Sequence, residues 1–131
     1  MRLVLVRHAH SDPAGPGEPD ELRPLSARGR EQAQRLAGAL AAAEPVLVVS
    51  SPLLRARETA APIARAAAAE LRIDERLAPG ATAADVVAAA GGADGAVVVV
   101  GHQPDCSLAV EALAGAEVDF PPAGAFELEL S

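Results

Sequence analysis

The sequence predicts a three-layer α/β/α domain with a mostly parallel central sheet and an edge strand at the C-terminal end. Three observations carry this expectation. Residues 3–6, 46–49 and 96–100 are short runs with an apolar side chain at every position, the pattern of strands buried on both faces, as in parallel sheets. Helical stretches lie between these runs, and strands alternating with helices imply βαβ units. The last run, Phe126-Glu127-Leu128-Glu129-Leu130, alternates apolar and acidic side chains instead, as a half-exposed edge strand does.

Each element follows from local chemistry. The first strand ends at Arg7-His8-Ala9-His10, and a loop rich in Pro, Gly and Asp runs through residues 11–20. Ser26 is a suitable N-cap for the next helix. Ala33, Leu36, Ala37, Leu40 and Ala41 recur at the helical period in it, and it ends near Glu44-Pro45. After the second strand, Pro52 fits the opening of a helix over residues 53–69, which Pro62 kinks or breaks. Residues 71–73 form a weak strand. A helix starts at residues 81–85 and stops at Gly91-Gly92. The third buried strand exits through Gly101-His102-Gln103-Pro104, and a helix follows to about Leu113.

The length of 131 residues provides for one core, so residues 1–131 read as a single domain. With Phe120 and Phe126 as the only aromatics, that core is built from Val, Leu, Ile and Ala. A net charge of −7 offers no general field for nucleic acid, and the scarcity of aromatics argues against base stacking. No stretch approaches the roughly 20 apolar residues of a membrane span, and no basic segment precedes an apolar one as in a secretion signal. The single Cys106 has no internal disulfide partner. The expected location is the cytoplasm, with neither membrane nor nucleic acid as partner.

Ligands of open α/β sheets bind beyond the carboxyl ends of the strands. Three strands here deliver charge or imidazole to that edge: Arg7 and His8 after the first, Arg55 after the second and His102 after the third. Arginine forks match phosphate oxygens and stay charged. A neutral imidazole among them is a nucleophile towards phosphorus, and a second, protonated one adds a charge-assisted hydrogen bond to developing phosphoryl charge. Phosphoryl transfer needs mainly positioning and charge stabilisation, which this set supplies without metal or cofactor.

These residues carry a resemblance. Leu5-Val6-Arg7-His8-Ala9 resembles the Arg-His-Gly motif of the histidine phosphatase superfamily, whose fold is called phosphoglycerate-mutase-like. Ser50-Ser51-Pro52-Leu53-Leu54-Arg55-Ala56-Arg57-Glu58-Thr59-Ala60 resembles its second arginine motif. Val100-Gly101-His102-Gln103-Pro104 resembles its second histidine motif, and Arg23-Pro24-Leu25-Ser26-Ala27-Arg28-Gly29 the segment that opens its first helix. The resemblance implies that His8 is the nucleophile that becomes phosphorylated. It also implies that Arg7, Arg55 and His102 bind the phosphoryl oxygens.

Two departures matter. Ala9 stands where the family has glycine, and a backbone angle that glycine tolerates is less comfortable for alanine. Many members also carry a glutamate that protonates an oxygen leaving group, whereas Arg76-Leu77-Ala78-Pro79-Gly80 contains no carboxylate. An alkoxide leaves poorly without such an acid, but an imidazole protonated on its distal nitrogen leaves as a neutral base. The chain is therefore most similar to the short SixA-type protein-phosphohistidine phosphatases. The implied partner is a phosphorylated protein such as a histidine phosphotransfer domain. A small phosphorylated metabolite is the alternative, with Asp12 or Glu58 as a displaced acid, and a non-catalytic phosphate-binding module is a third reading.

Plainer readings exist for each residue. His8 alone is a strand-end histidine, Arg55 a solvated helix-start charge, and His102 a ring held by a carbonyl. Arg23 either reaches a substrate phosphate or lies on the surface. His10 invites a metal reading with His8 and His102, but the neighbouring arginines repel a dication, so it is expected at the pocket entrance or in solvent. Cys106 lacks the arginine six positions on that a cysteine phosphatase requires and reads as a small buried residue. A chain this short, without large insertions, implies an open pocket that suits a protein substrate.

Overall fold

The computed structural model describes residues 1–130. Five strands and four helices follow one another as β1 (Arg2–Arg7), α1 (Ala27–Ala41), β2 (Leu47–Ser50), α2 (Leu54–Ala67), β3 (Glu70–Ile73), α3 (Ala83–Ala90), β4 (Val97–Gly101), α4 (Asp105–Ala114) and β5 (Ala125–Glu129). Single 3-10 turns at Asp20–Leu22 and Glu75–Leu77 are additions that no sequence pattern announced. The sheet order is β3-β2-β4-β1-β5. β1, β2, β3 and β4 pair in parallel, and β5 lies antiparallel along the edge beside β1.

The alternation of strand side chains divides the core into two layers. Leu3 and Leu5, Leu47 and Val49, and Val97 and Val99 face α3 and α4. Val4 and Val6, Val48, and Val98 and Val100 face α1 and α2. Both sets are buried, which is why these runs carry no polar position. Each such side chain contributes about 1.5–3 kcal/mol relative to exposure. Ala56, Ala60 and Ala64 let α2 lie close to the sheet, with Ile63 filling the space between. In β5 only Leu128 is buried, while Glu127 and Glu129 face solvent.

Boundaries differ from expectation by one to four residues. α1 ends at Ala41, because the chain turns out through Glu44 at φ 49° before Pro45. α2 begins at Leu54, two residues beyond Pro52, and it runs through Pro62 without a break. A proline inside a helix costs about 3 kcal/mol; here Pro62 is buried and lines the cleft between α2 and α1.

One glycine is required by a close approach. A Cβ on Gly29 would stand 2.0 Å from the carbonyl oxygen of His10. The first turn of α1 thus rests directly on the chain leaving β1. Parallel pairing then brings Arg7 beside Gly101 and Ser50 beside Val100, so β1, β2 and β4 finish on one edge of the sheet.

Candidate active site

At that edge lies a recess of about 300 Å³, partly open to solvent. Arg7, His8, His10, Arg23, Arg55 and His102 all line it, so every residue singled out for phosphate chemistry meets in one place. Pro79 and Pro122 form parts of the wall, and among the described residues no carboxylate belongs to the lining. The two candidates for a displaced acid lie elsewhere. Glu58 accepts a hydrogen bond from the Leu25 amide at 2.8 Å and lines the cleft between α1 and α2. Asp12 is exposed and engages Arg23 only through its backbone carbonyl.

The guanidinium groups are held on one side and open on the other. Arg7 donates from Nη1 to the Phe120 carbonyl at 2.9 Å. Arg55, only 5 % exposed, donates from Nη1 to the Asp20 carbonyl at 2.9 Å and from Nη2 to Oδ2 of Asp20 at 3.2 Å. The Nε of each is buried without a partner. Buried donors without acceptors are costly, and an anion in the recess is the natural complement to this deficit. Arg23 donates from Nε to Oδ1 of Asp20 and from Nη1 to the Asp12 carbonyl, both at 2.9 Å. Partial burial of Asp20 works against its charge, but Arg55 and Arg23 prevail and hold its carboxyl below the usual value. Asp20 is therefore an anchor for two arginines and not a proton donor.

Hydrogen bonds place the imidazole protons. His8 Nδ1 lies 2.7 Å from the Ala9 carbonyl, which can only accept. The proton is on Nδ1, and Nε2 keeps its lone pair for the recess. Burial, with Arg55, Arg7 and Arg23 around the ring, pushes the His8 pKa down to about 4 against the opposing Ala9 bond. His102 is 4 % exposed, and its Nε2 lies 2.7 Å from the Ser51 hydroxyl. Ser51 Oγ accepts the Leu53 amide at 3.2 Å and has one proton of its own to donate. His102 Nε2 receives it, which leaves the His102 proton on Nδ1. The two rings stand 5.3 Å apart. Burial, then His8 and Arg55, push the His102 pKa down to about 3. The second imidazole, expected to be protonated, is thus neutral, because desolvation opposes a cation among cations. It can still donate through Nδ1–H.

Both shifts have a consequence for stability. Below about pH 6.5 the unfolded chain binds protons on these histidines that the folded chain refuses. Stability is complete above that pH and falls as pH drops towards 4, by up to about 1.4 kcal/mol per pH unit for each ring. Urea midpoints at pH 8, 6.5, 5.5 and 4.5 should fall steadily below 6.5, with about half the slope in His102→Asn. A midpoint flat over this range would contradict the buried neutral pair.

Supporting contacts explain several motif residues. Thr59 Oγ1 accepts the Ala9 amide at 3.0 Å and donates to the Arg55 carbonyl at 2.8 Å, tying β1's exit to α2. Ala9 is fully buried and is not among the residues with positive φ, so the replacement of glycine brings no strain. Cys106 is buried, donates weakly to the Val6 carbonyl, and has its thiol pushed up to about 12 by burial and Asp105. Sequence reasoning missed Asp20, the hydrogen-bonding role of Ser51, the Phe120 carbonyl that holds Arg7, and the wall at Pro122. The Asp20–Arg23 spacing of three was a readable signal for an ion-paired turn; nothing local marked the wall. Among the described residues, no three His, Cys, Asp or Glu side chains come together as metal ligands, and no helix is long and apolar enough to cross a membrane.

Known proteins share this family and fold. The sequence profile of the histidine phosphatase superfamily (branch 1) matches residues 3–79. A protein from Agrobacterium tumefaciens assigned as the phosphohistidine phosphatase SixA superposes with a TM-score of 0.85 at 28 % identity, over 98 % of this chain and 90 % of that one. Its counterpart from Nakamurella multipartitia gives 0.78 at 27 % identity, over 96 % and 83 %. A mycobacterial glucosyl-3-phosphoglycerate phosphatase in complex with VO3 gives 0.74 at 25 % identity, over 98 % and 90 %. No curated protein sequence matches the chain significantly.

Proposed function

The chain belongs to the histidine phosphatase superfamily, and from that premise we propose that it is a metal-independent phosphatase working through a phosphohistidine at His8. The observation that carries the reading is the His8 ring. Its Nδ1 proton is committed to the Ala9 carbonyl, so a bare Nε2 faces a recess lined by three guanidinium groups. In the first displacement His8 Nε2 bonds to phosphorus, the bond to the leaving atom breaks, and its electron pair departs with that atom. In the second, a water oxygen bonds to phosphorus and the pair returns to Nε2. Arg7, Arg55 and Arg23 balance the phosphoryl charge throughout, and His102 Nδ1–H donates to a phosphoryl oxygen.

The favoured substrate is phosphohistidine in a protein, such as a histidine phosphotransfer domain. The lining holds no carboxylate to protonate an alkoxide, whereas imidazole leaves from phosphorus as a neutral base. The likeness to SixA proteins at 27–28 % identity supports the same choice. A small phosphorylated metabolite is the second reading, favoured by the likeness to the sugar-phosphoglycerate phosphatase. The deciding experiment compares a phosphohistidine-bearing phosphotransfer domain with an alkyl phosphate, chelator present. Fast loss of the protein phosphoryl group with slow ester hydrolysis is expected. Faster alkyl-ester turnover would favour the metabolite, and phosphate binding without turnover of either would leave only a binding module.

A further inference from the structure

We propose that His10 is the proton carrier of this site, giving a proton to the leaving group (the oxygen of an ester, or the distal ring nitrogen of a phosphohistidine) in the first displacement and taking one from water in the second. The inference rests on the reading of His8 as nucleophile and goes beyond it. Each displacement moves a proton, and few lining groups can carry one. Guanidinium groups do not release protons near neutral pH. His8 is the attacking atom's own ring, and His102 has its Nε2 engaged by Ser51 and its Nδ1–H committed to a phosphoryl oxygen. With no carboxylate in the lining, His10 is the one imidazole left.

Its surroundings suit the task. The His10 amide donates to Gln32 Oε1 at 2.9 Å, and its carbonyl accepts the Ser26 amide at 3.0 Å. The ring Nδ1 lies 2.7 Å from Ser26 Oγ, and the His10 carbonyl lies 3.2 Å from the same oxygen. The Ser26 hydroxyl proton can point to either. Turned to Nδ1, it fixes the neutral ring with a proton on Nε2. Turned to the carbonyl, it frees Oγ to accept Nδ1–H, which suits the imidazolium and the neutral ring with a bare Nε2. One hydroxyl therefore satisfies every protonation state of the ring, while Nε2 is left to the recess. Ser26 is also the N-cap of α1, accepting the Gly29 amide at 3.0 Å, so the oxygen is fixed in place.

The steps balance. Imidazolium Nε2–H of His10 passes its proton to the leaving group as the bond to phosphorus breaks, to the oxygen of an ester or to the distal nitrogen of a phosphohistidine ring, and the pair formerly in the N–H bond stays on Nε2. That pair then takes a proton from the water whose oxygen bonds to phosphorus, and the electron pair of the breaking P–N bond returns to His8. His10 ends as it began.

The test uses the full chain, single-turnover labelling of His8 and a series of aryl phosphates of rising leaving-group pKa. In His10→Gln and His10→Ala, the rate of His8 phosphorylation should fall about 100-fold for phenyl phosphate, in keeping with general acid catalysis. The loss should shrink steadily as the leaving group becomes more acidic, and added imidazole should restore much of the rate in His10→Ala. A loss uniform across the series, or none, would overturn the role, since a structural defect does not sense the leaving group. Failure of wild-type His8 to take up label would overturn the underlying reading and the proton carrier with it.

Discussion

Replacing His8 with alanine is expected to lower kcat by about 10⁴-fold or more, because the covalent route is lost with its nucleophile. The fold should persist. Among the described residues, the only hydrogen bond of the ring is to the carbonyl of its own neighbour, Ala9, and Thr59 independently anchors the Ala9 amide. Circular dichroism should match that of the parent, and the stability of the variant should depend less on pH between 6.5 and 4, because one reluctant imidazole is gone. Acid-quenched labelling should find no phosphohistidine. Retained turnover in His8→Ala would sink the mechanism; loss of the folded signal would mean that the ring is structural.

The second large effect is expected at Arg55. Both of its Nη atoms are engaged by Asp20, Arg55 lines the recess, and its buried Nε has no partner among the described residues. Arg55→Lys preserves one charge but cannot serve both sides. A compact ammonium replaces a planar group whose donors point in fixed directions. A loss of about 10³-fold in kcat/KM is expected for Arg55→Lys and a larger one for Arg55→Ala, since each removes charge-assisted donors from the transition state. Asp20→Asn separates anchoring from binding. It keeps the carbonyl that accepts Nη1 but removes the carboxylate charge shared by Arg55 and Arg23. Its effect should be far smaller than that of Arg55→Lys. If Arg55→Lys behaved like the parent, the arginine would be no more than a tether for the Asp20 turn.

Much of this arrangement could be read from the chain. The runs 3–6, 46–49 and 96–100 have no polar position because β1, β2 and β4 are covered on both faces, and β5 alternates because one of its faces meets solvent. Pro62 was harder, because whether a proline interrupts a helix depends on what packs against it. The pocket wall at Pro122 was not legible at all. It is shaped by where residues 115–124 return to pair β5 with β1, through Ala123 donating to the His8 carbonyl and Gly124 accepting from the Arg7 amide.

Sequence by itself determined which side chains stand at the strand ends and, through apolar periodicity, which strands lie between helices. From these it determined that Arg7, His8, Arg55 and His102 meet, since parallel strands place their carboxyl ends on one edge. Only the tertiary structure decided where the protons sit. The His8 proton is set by the Ala9 carbonyl, the His102 proton by a serine 51 positions away, and the neutrality of both by burial among arginines. Protonation depends on distance and desolvation, and those quantities exist only once the chain has closed around the site.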